Sequence, residues 1–355
     1  MPVSGPYGMG EYARCLAIAR AASRRWQGAA IHFALSREAP YAADAPFPAT
    51  LLDASPTFHS AAVIDLLESL RPDVVIFDNA GRTAQLRAAR RLGARVVFIS
   101  ARRRQRRKAF RWRWMSRIDE HWIAYPEFIA GSLGFFERLK LKVAGGPRVR
   151  YLDVILSRAD PAQRAAILAR AGCDSGSFVL VVPGGGTGHP GVDDAADRFR
   201  AAARTLAAAG TATVYVGPAQ ASGAAEDGGA PSNWHPLGSL PQAELVELMR
   251  SARLVVANGG STLLQAIACG KACVAVAIAK DQADRIRRCV AAGVALAAPL
   301  DAAAMAQSAN RLLQDEAARA ALATLAAQLG LADGVEVALQ ALAGLLLPAR
   351  GAAAT

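Results

Sequence analysis

Short apolar runs alternate with segments whose apolar residues recur every three or four positions, along nearly the whole chain. In the first half, residues 29–35, 72–78, 95–100 and 121–125 read as strands, with helical patterns over 12–26, 61–70 and 83–92. In the second half, residues 178–182, 213–216, 254–257 and 273–278 read as strands. Helical patterns cover 161–171, 193–209, 242–251 and 262–268, with Asp160 as a cap and Pro161 in the first helical position. Strands alternating with helices build βαβ units and parallel sheets. The pattern therefore predicts two α/β halves, residues 1–156 and 157–335, followed by a helix and disordered tail over 336–355. A Gly/Ala/Ser-rich stretch, residues 220–231, reads as a mobile loop. Open parallel sheets bind ligands beyond the carboxyl ends of their strands, and two such sheets facing each other form a cleft. One irregularity stands at the start. The glycine-rich turn Gly5-Pro6-Tyr7-Gly8-Met9-Gly10 should follow a strand, yet only four residues precede it. Either these form a stub or a first strand is missing, which would expose neighbouring strand edges.

Three turns carry candidate chemistry. Gly8-Met9-Gly10-Glu11 opens the first helix, whose free N–H groups can meet an anion. Pro183-Gly184-Gly185-Gly186-Thr187-Gly188-His189 follows a strand and precedes a helix, the setting of a phosphate-cradling loop, although no Gly-Lys-Ser/Thr completes a P-loop. Asn258-Gly259-Gly260-Ser261-Thr262 follows another strand and opens a helix that carries Gln265 one turn on. The strand that follows ends in Ala279-Lys280-Asp281-Gln282, so Asp281 and Gln282 stand at its carboxyl end, where they can bond sugar hydroxyls. Asp78-Asn79 stands at a strand end in the first half. Plainer readings stay open: flexible glycine loops, a first-turn acid at Glu11 that complements the helix dipole, and a turn former at Asp78-Asn79.

The spacing Gly259-Gly260-Ser261-Thr262, Gln265, Gly270, then Asp281-Gln282, resembles the donor-binding region of GT-B glycosyltransferases. It is similar to that of the UDP-glucosyltransferases and of the N-acetylglucosaminyltransferase that completes the peptidoglycan lipid precursor. Gln265 stands where those families carry an acid on the ribose. Trp234-His235-Pro236-Leu237-Gly238 resembles the loop that packs on the nucleotide base. Gly8-x-Gly10-Glu11-x-x-Arg14-Cys15-Leu16 resembles the UDP-sugar hydrolases of pseudaminic acid biosynthesis, with Glu11 in place of the catalytic His. The resemblance implies a GT-B fold: two Rossmann-like parallel-sheet domains facing across a cleft, the N-terminal one for acceptor and the C-terminal one for donor. It implies Gly184, Gly185, Gly186, Thr187, Gly188, Gly260, Ser261 and Thr262 at the diphosphate, and Leu237, Gly238 and Gln265 at the nucleoside. Asp281 and Gln282 would hold the sugar. Glu11, or else Asp78, would be the base, with Gly10, Arg14 and Asn79 on the acceptor side. The implied reaction is inverting transfer of a hexosyl or N-acetylhexosaminyl group from a UDP-sugar to a cell-envelope or lipid-linked glycan, with no metal and no cofactor. Two alternatives accompany it: a nucleotide-sugar hydrolase, and a non-catalytic binder of nucleotide-sugar or nucleic acid.

Composition narrows this picture in two places. The five cysteines form no CxxC pair and the five histidines are scattered, which predicts reduced thiols, no protein-built zinc site and a cytoplasmic setting. No apolar stretch reaches 18 residues and the start has no signal-peptide pattern. The net charge of +12 concentrates between Arg102 and Arg113, where eight of twelve residues are Arg or Lys. Arg103, Arg104, Arg106 and Arg107 with Trp112 and Trp114 suit an anionic membrane face or a lipid phosphate. Single-stranded nucleic acid is the less favoured partner, and a solvated helix face with inward aromatics the plain alternative.

Overall fold

The computed structural model describes residues 1–3, 9–157, 161–184, 194–218 and 231–347. The chain divides into two compact units, Met1–Ile155 with Ala332–Thr355, and Leu156–Leu331. The turn at Gly5 to Gly8, the Asp160 cap, residues 220–230 of the loop and the tail after Leu347 lie outside the described residues.

The N-terminal unit begins with α1 (Met9–Arg25), β1 (Phe33–Ser36), β2 (Ala49–Leu52), α2 (Ser60–Leu70), β3 (Val74–Asp78), α3 (Thr83–Arg91) and β4 (Arg95–Ser100). It continues with α4 (Arg103–Ala109), α5 (Trp112–Met115), β5 (Glu120–Ile123), α6 (Glu127–Ala130), α7 (Phe135–Ala144) and β6 (Arg148–Tyr151). Among the described residues, β3-β4-β5-β6 form one parallel sheet and β1-β2 a parallel pair. Pro2 and Val3 bridge the two. Val3 N–H donates to Ala34 O at 3.1 Å and Asp78 N–H to Pro2 O at 3.0 Å. Among the described residues, Pro2 and Val3 occupy the position between β1 and β3. Side chains alternate across β3 and β4, as pleating requires. Ile76, Val97 and Ile99 pack with α1, while Val75, Phe77, Val96 and Phe98 pack with α2, α3 and Trp114. A parallel sheet covered on both faces follows. The strand pattern missed β2 and β6 because both are only partly buried and lack a continuous apolar run.

The C-terminal unit holds α8 (Pro161–Ala171), β7 (Val179–Val182), α9 (Ala195–Ala208), β8 (Thr213–Tyr215), β9 (Trp234–Pro236), α10 (Gln242–Ser251) and β10 (Leu254–Asn258). α11 (Ser261–Ala268), β11 (Cys273–Val276), α12 (Lys280–Ala291), β12 (Leu296–Ala298), α13 (Ala302–Gln314) and α14 (Glu316–Gln328) complete it. Its described strands form one parallel sheet in the order β12-β11-β10-β7-β8-β9. Alternate residues of β7, β10 and β11 pack on Phe199, Leu206, Met305 and Ala309 of α9 and α13. Asp301 and Asp315 cap α13 and α14 by accepting from the N–H groups of Ala304 and Ala318, both at 2.9 Å. The proline in β9 is tolerated because β9 is an edge strand. The chain then returns to the N-terminal unit as α15 (Gly334–Leu346), where Val335 and Leu339 pack on Ala17 and Ala21 of α1.

Both sheets have a switch point, where the chain leaves two adjacent positions in opposite directions. In the C-terminal unit it lies between β7 and β10; in the N-terminal unit it lies between Pro2-Val3 and β3. Crevices beyond the strand ends open at such points.

Candidate functional site

At the C-terminal switch point, Gly184 follows β7 with φ +111°. A Cβ there would stand 2.2 Å from Nδ2 of Asn258, the last residue of β10. Only glycine fits that backbone at that distance. Asn258 is buried, and its Oδ1 accepts from Gly260 N–H at 3.2 Å. Gly259 N–H donates to Val276 O at 2.9 Å, and a Cβ on Gly259 would meet Ile286 Cδ1 at 2.7 Å. This compact turn starts α11, with Gly260 as its N-cap, exposed Ser261 and half-buried Thr262 in the first turn. N–H groups of a first helical turn lack intrahelical acceptors and favour anions. Gly185, Gly186, Thr187, Gly188 and His189 lie outside the described residues.

Leu237 and Gly238 come directly after β9, and Leu237 N–H is held by Tyr215 O at 2.9 Å. Along the edge β9-β8-β7-β10-β11, the base, diphosphate and sugar positions named from the sequence occur in that order. They span four interstrand steps, roughly 19 Å. Gln265, named for the ribose, is buried in the second turn of α11. Asp281 and Gln282 require a correction: they open α12 instead of ending a strand. β11 stops at Val276, and extended Ala279 is the N-cap of α12. Gln282 is buried and its Oε1 accepts from Ile278 N–H at 3.0 Å, while exposed Asp281 stands 3.5 Å from Arg285 Nη2. Arg285 is a residue the sequence reading missed. Its buried guanidinium donates to Gly259 O, which sets a positive charge beside the glycine turn. The Asp281–Arg285 i,i+4 pair was the available signal.

At the N-terminal switch point the side chains are already engaged with one another. Asp78 ends β3 fully buried, and both its oxygens accept from Arg14, Nε at 2.9 Å and Nη2 at 2.7 Å. The Cys15 thiol lies 3.5 Å away. Burial pushes the Asp78 carboxyl up to about 6, against the opposing pull of the Arg14 charge. Asp78 is therefore not a free base and Arg14 does not face an acceptor; the two neutralise each other inside the unit. Asn79 adopts a left-handed conformation, φ +49°, which Asn tolerates. Its Oδ1 accepts from Ala101 N–H at 2.9 Å, and its Nδ2 donates to Glu11 Oε1 at 2.9 Å. Asn79 thus positions Glu11. The Glu11 side chain, in the first turn of α1, remains 12% exposed, with Arg102 Nη2 at 3.9 Å. Gly10 is exposed beside it.

The basic run splits into two sets. Arg106 is structural: it pairs with Glu137 at 2.6 Å and donates to the carbonyls of Gly131 and Ser132 at 2.6 and 2.8 Å. Trp114 is buried on Phe98, its Nε1 donating to Thr83 Oγ1 at 3.1 Å. Both leave the surface patch named above because α4 and α5 turn these faces inward. Arg103, Arg104, Arg107 and Trp112 remain exposed. Lys108 lies over the Trp114 ring at 4.1 Å; burial and the charges of Arg82, Arg111 and Arg104 push its pKa down to about 8.

Residues 200–329 match the family model of glycosyl transferases group 1. No curated protein matches the chain. Among solved structures, it is similar to the spinosyn forosaminyltransferase SpnP, with a TM-score of 0.65 and 14% identity over 96% of this chain and 98% of that one. It is also similar to a UDP-glucosyltransferase from Polygonum tinctorium that glucosylates indoxyl, with a TM-score of 0.62 and 15% identity over 97% of each chain. A Listeria monocytogenes protein provisionally described as a UDP-N-acetylglucosamine 2-epimerase gives 0.58 and 15%, over 96% of this chain and 94% of that one. At such identities the likeness is one of fold: the chain has the GT-B fold, with parallel sheets in both units.

Proposed function

We propose that the protein transfers a hexosyl or N-acetylhexosaminyl group from a UDP-sugar to a glycan acceptor of the cell envelope or a lipid carrier, with inversion and without a metal. The order of positions along the C-terminal sheet edge carries this reading: Leu237-Gly238, then Gly184 against Asn258, then the start of α12. A nucleoside-diphosphate sugar laid along that edge puts its base, diphosphate and sugar in sequence. The N–H groups of α11 and the Arg285 charge near the turn then stabilise the leaving diphosphate as its charge grows. The group 1 match over residues 200–329 supports the sugar-transfer part of this reading.

Glu11 is the base in this scheme. A carboxylate held by Asn79 and largely withdrawn from water takes the proton of the acceptor hydroxyl as that oxygen attacks the anomeric carbon; the diphosphate leaves with the bonding pair. The hydrolase alternative differs in using water as the acceptor. A UDP-sugar thermal-shift titration followed by incubation of the donor alone separates the readings. A UDP-sugar shift with slow sugar release fits transfer, since a bound ligand raises stability by mass action. Rapid stoichiometric release of free sugar would establish hydrolysis instead, and no shift with any UDP-sugar would sink both.

A further inference from the structure

α7 was not foreseen from the sequence, and it presents an apolar face that its own unit does not cover. Phe135, Phe136 and Val143 are 67%, 73% and 70% exposed, with Leu139 exposed between them. At 3.6 residues per turn these four fall within an arc of about 100°. Lys142 and Lys140 flank that arc on either side. Glu137 and Leu141 face the opposite way: Glu137 pairs with Arg106, and Leu141 lies against Gly146. The helix is thereby clamped to α4 by its polar and inner faces, which leaves the phenyl rings outward. Lys140 also donates to Phe110 O at 3.3 Å, just ahead of α5 and its exposed Trp112.

We infer that α7 docks this unit onto an anionic bilayer, lying in the interface with Phe135, Phe136, Leu139 and Val143 among the acyl chains while Arg103, Arg104 and Arg107 meet the headgroups. The composition is that of an interfacial helix: a short apolar face carrying two phenyl rings, with cations at its margins. Charge complementarity selects the occupant: Lys142 and Lys140 stand at the two margins of the arc, on a unit whose α4 also exposes Arg103, Arg104 and Arg107. Among the described residues no helix is long and apolar enough to cross a membrane. The inference deepens the proposed function by bringing a lipid-borne acceptor to the unit that carries Glu11.

Vesicle flotation tests it with the full chain. Wild type is expected to float with vesicles containing phosphatidylglycerol and to stay below with pure phosphatidylcholine. F135S/F136S should lower the bound fraction at least about tenfold, since each phenyl is worth that much on leaving water. R103Q/R104Q/R107Q should weaken binding roughly fivefold per charge and flatten its salt dependence. Arg106 stays in place because it holds the fold. The UDP-sugar thermal shift should be the same in wild type and F135S/F136S. Wild type that fails to float with anionic vesicles, floats equally with neutral ones, or keeps floating after F135S/F136S overturns the inference. A wild-type dimer that F135S/F136S converts to monomer also overturns it, by assigning the face to a second copy. A missing UDP-sugar shift with normal flotation defeats the donor reading and leaves the membrane contact standing.

Discussion

The two units use equivalent places, the switch points of their parallel sheets, in opposite ways. In the C-terminal unit the crevice is built from backbone. Gly184, Gly259 and Gly260 crowd against Asn258 and Ile286, and the first turn of α11 has N–H groups without intrahelical acceptors. In the N-terminal unit it is built from side chains that satisfy one another: Arg14 with Asp78, and Asn79 with Glu11. A glycine cluster at a strand end therefore marks close approach of backbone to its neighbours. A cluster of charged residues there is ambiguous, because each can be the other's partner.

The sharpest break of this comparison is Glu11→Gln. It should cut turnover by about 10²- to 10⁴-fold, the usual worth of a positioned acid or base, with the UDP-sugar thermal shift unchanged. Turnover within a few fold of wild type would move Glu11 into the satisfied network with Asp78. Next comes Asp78→Ala, which leaves Arg14 buried without its carboxylate. A stability loss of about 3–5 kcal/mol in urea unfolding is expected. A stable Asp78→Ala protein with lost activity would return Asp78 to the catalytic candidates. Gly184→Ala should cost about 3 kcal/mol and remove the UDP-sugar shift, because the new Cβ meets Asn258 in a left-handed backbone. Unaltered donor binding in that variant would mean the crevice has room to spare. The smallest effect concerns pH. His121 is buried beside Ser100, and burial together with the Arg106 charge pushes its pKa down to about 3. Between 6.5 and 3 the unfolded chain takes up a proton that the folded chain refuses, so stability falls as pH falls through that window. From pH 7 to pH 5 the loss is about 2 kcal/mol, and His121→Gln should lack it in paired urea titrations.

The alternation of strands and helices was legible because buried parallel strands are continuously apolar, as at residues 95–100 and 178–182. Gly184 after β7 and Gly259-Gly260 after β10 were legible as turn positions, because glycine after a strand permits a tight backbone turn. Asp281 and Gln282 were misplaced because the pattern does not mark the turn at Ala279 where β11 gives way to α12. Asp78 and Arg14 were misjudged because they are distant in sequence and meet only through the packing of α1 on β3. Arg106 and Trp114 were placed in the patch because a dense basic run hides which members point inward. α7 went unseen because its apolar residues face outward, so its pattern does not mark a core face.

The return of α15 makes the C-terminal unit an insertion within the N-terminal one, entered at Ile155/Leu156 and left at Leu331/Ala332. During synthesis, the unit begun first must wait for the insertion to emerge before α15 can cover Ala17 and Ala21. The inserted unit, whose sequence is contiguous, can close on its own ahead of it. Vectorial folding thus inverts the order of the sequence. A nascent chain whose residues up to 331 have left the ribosome while α15 has not would hold a folded inserted unit and an unfinished N-terminal unit whose first helix still exposes Ala17 and Ala21.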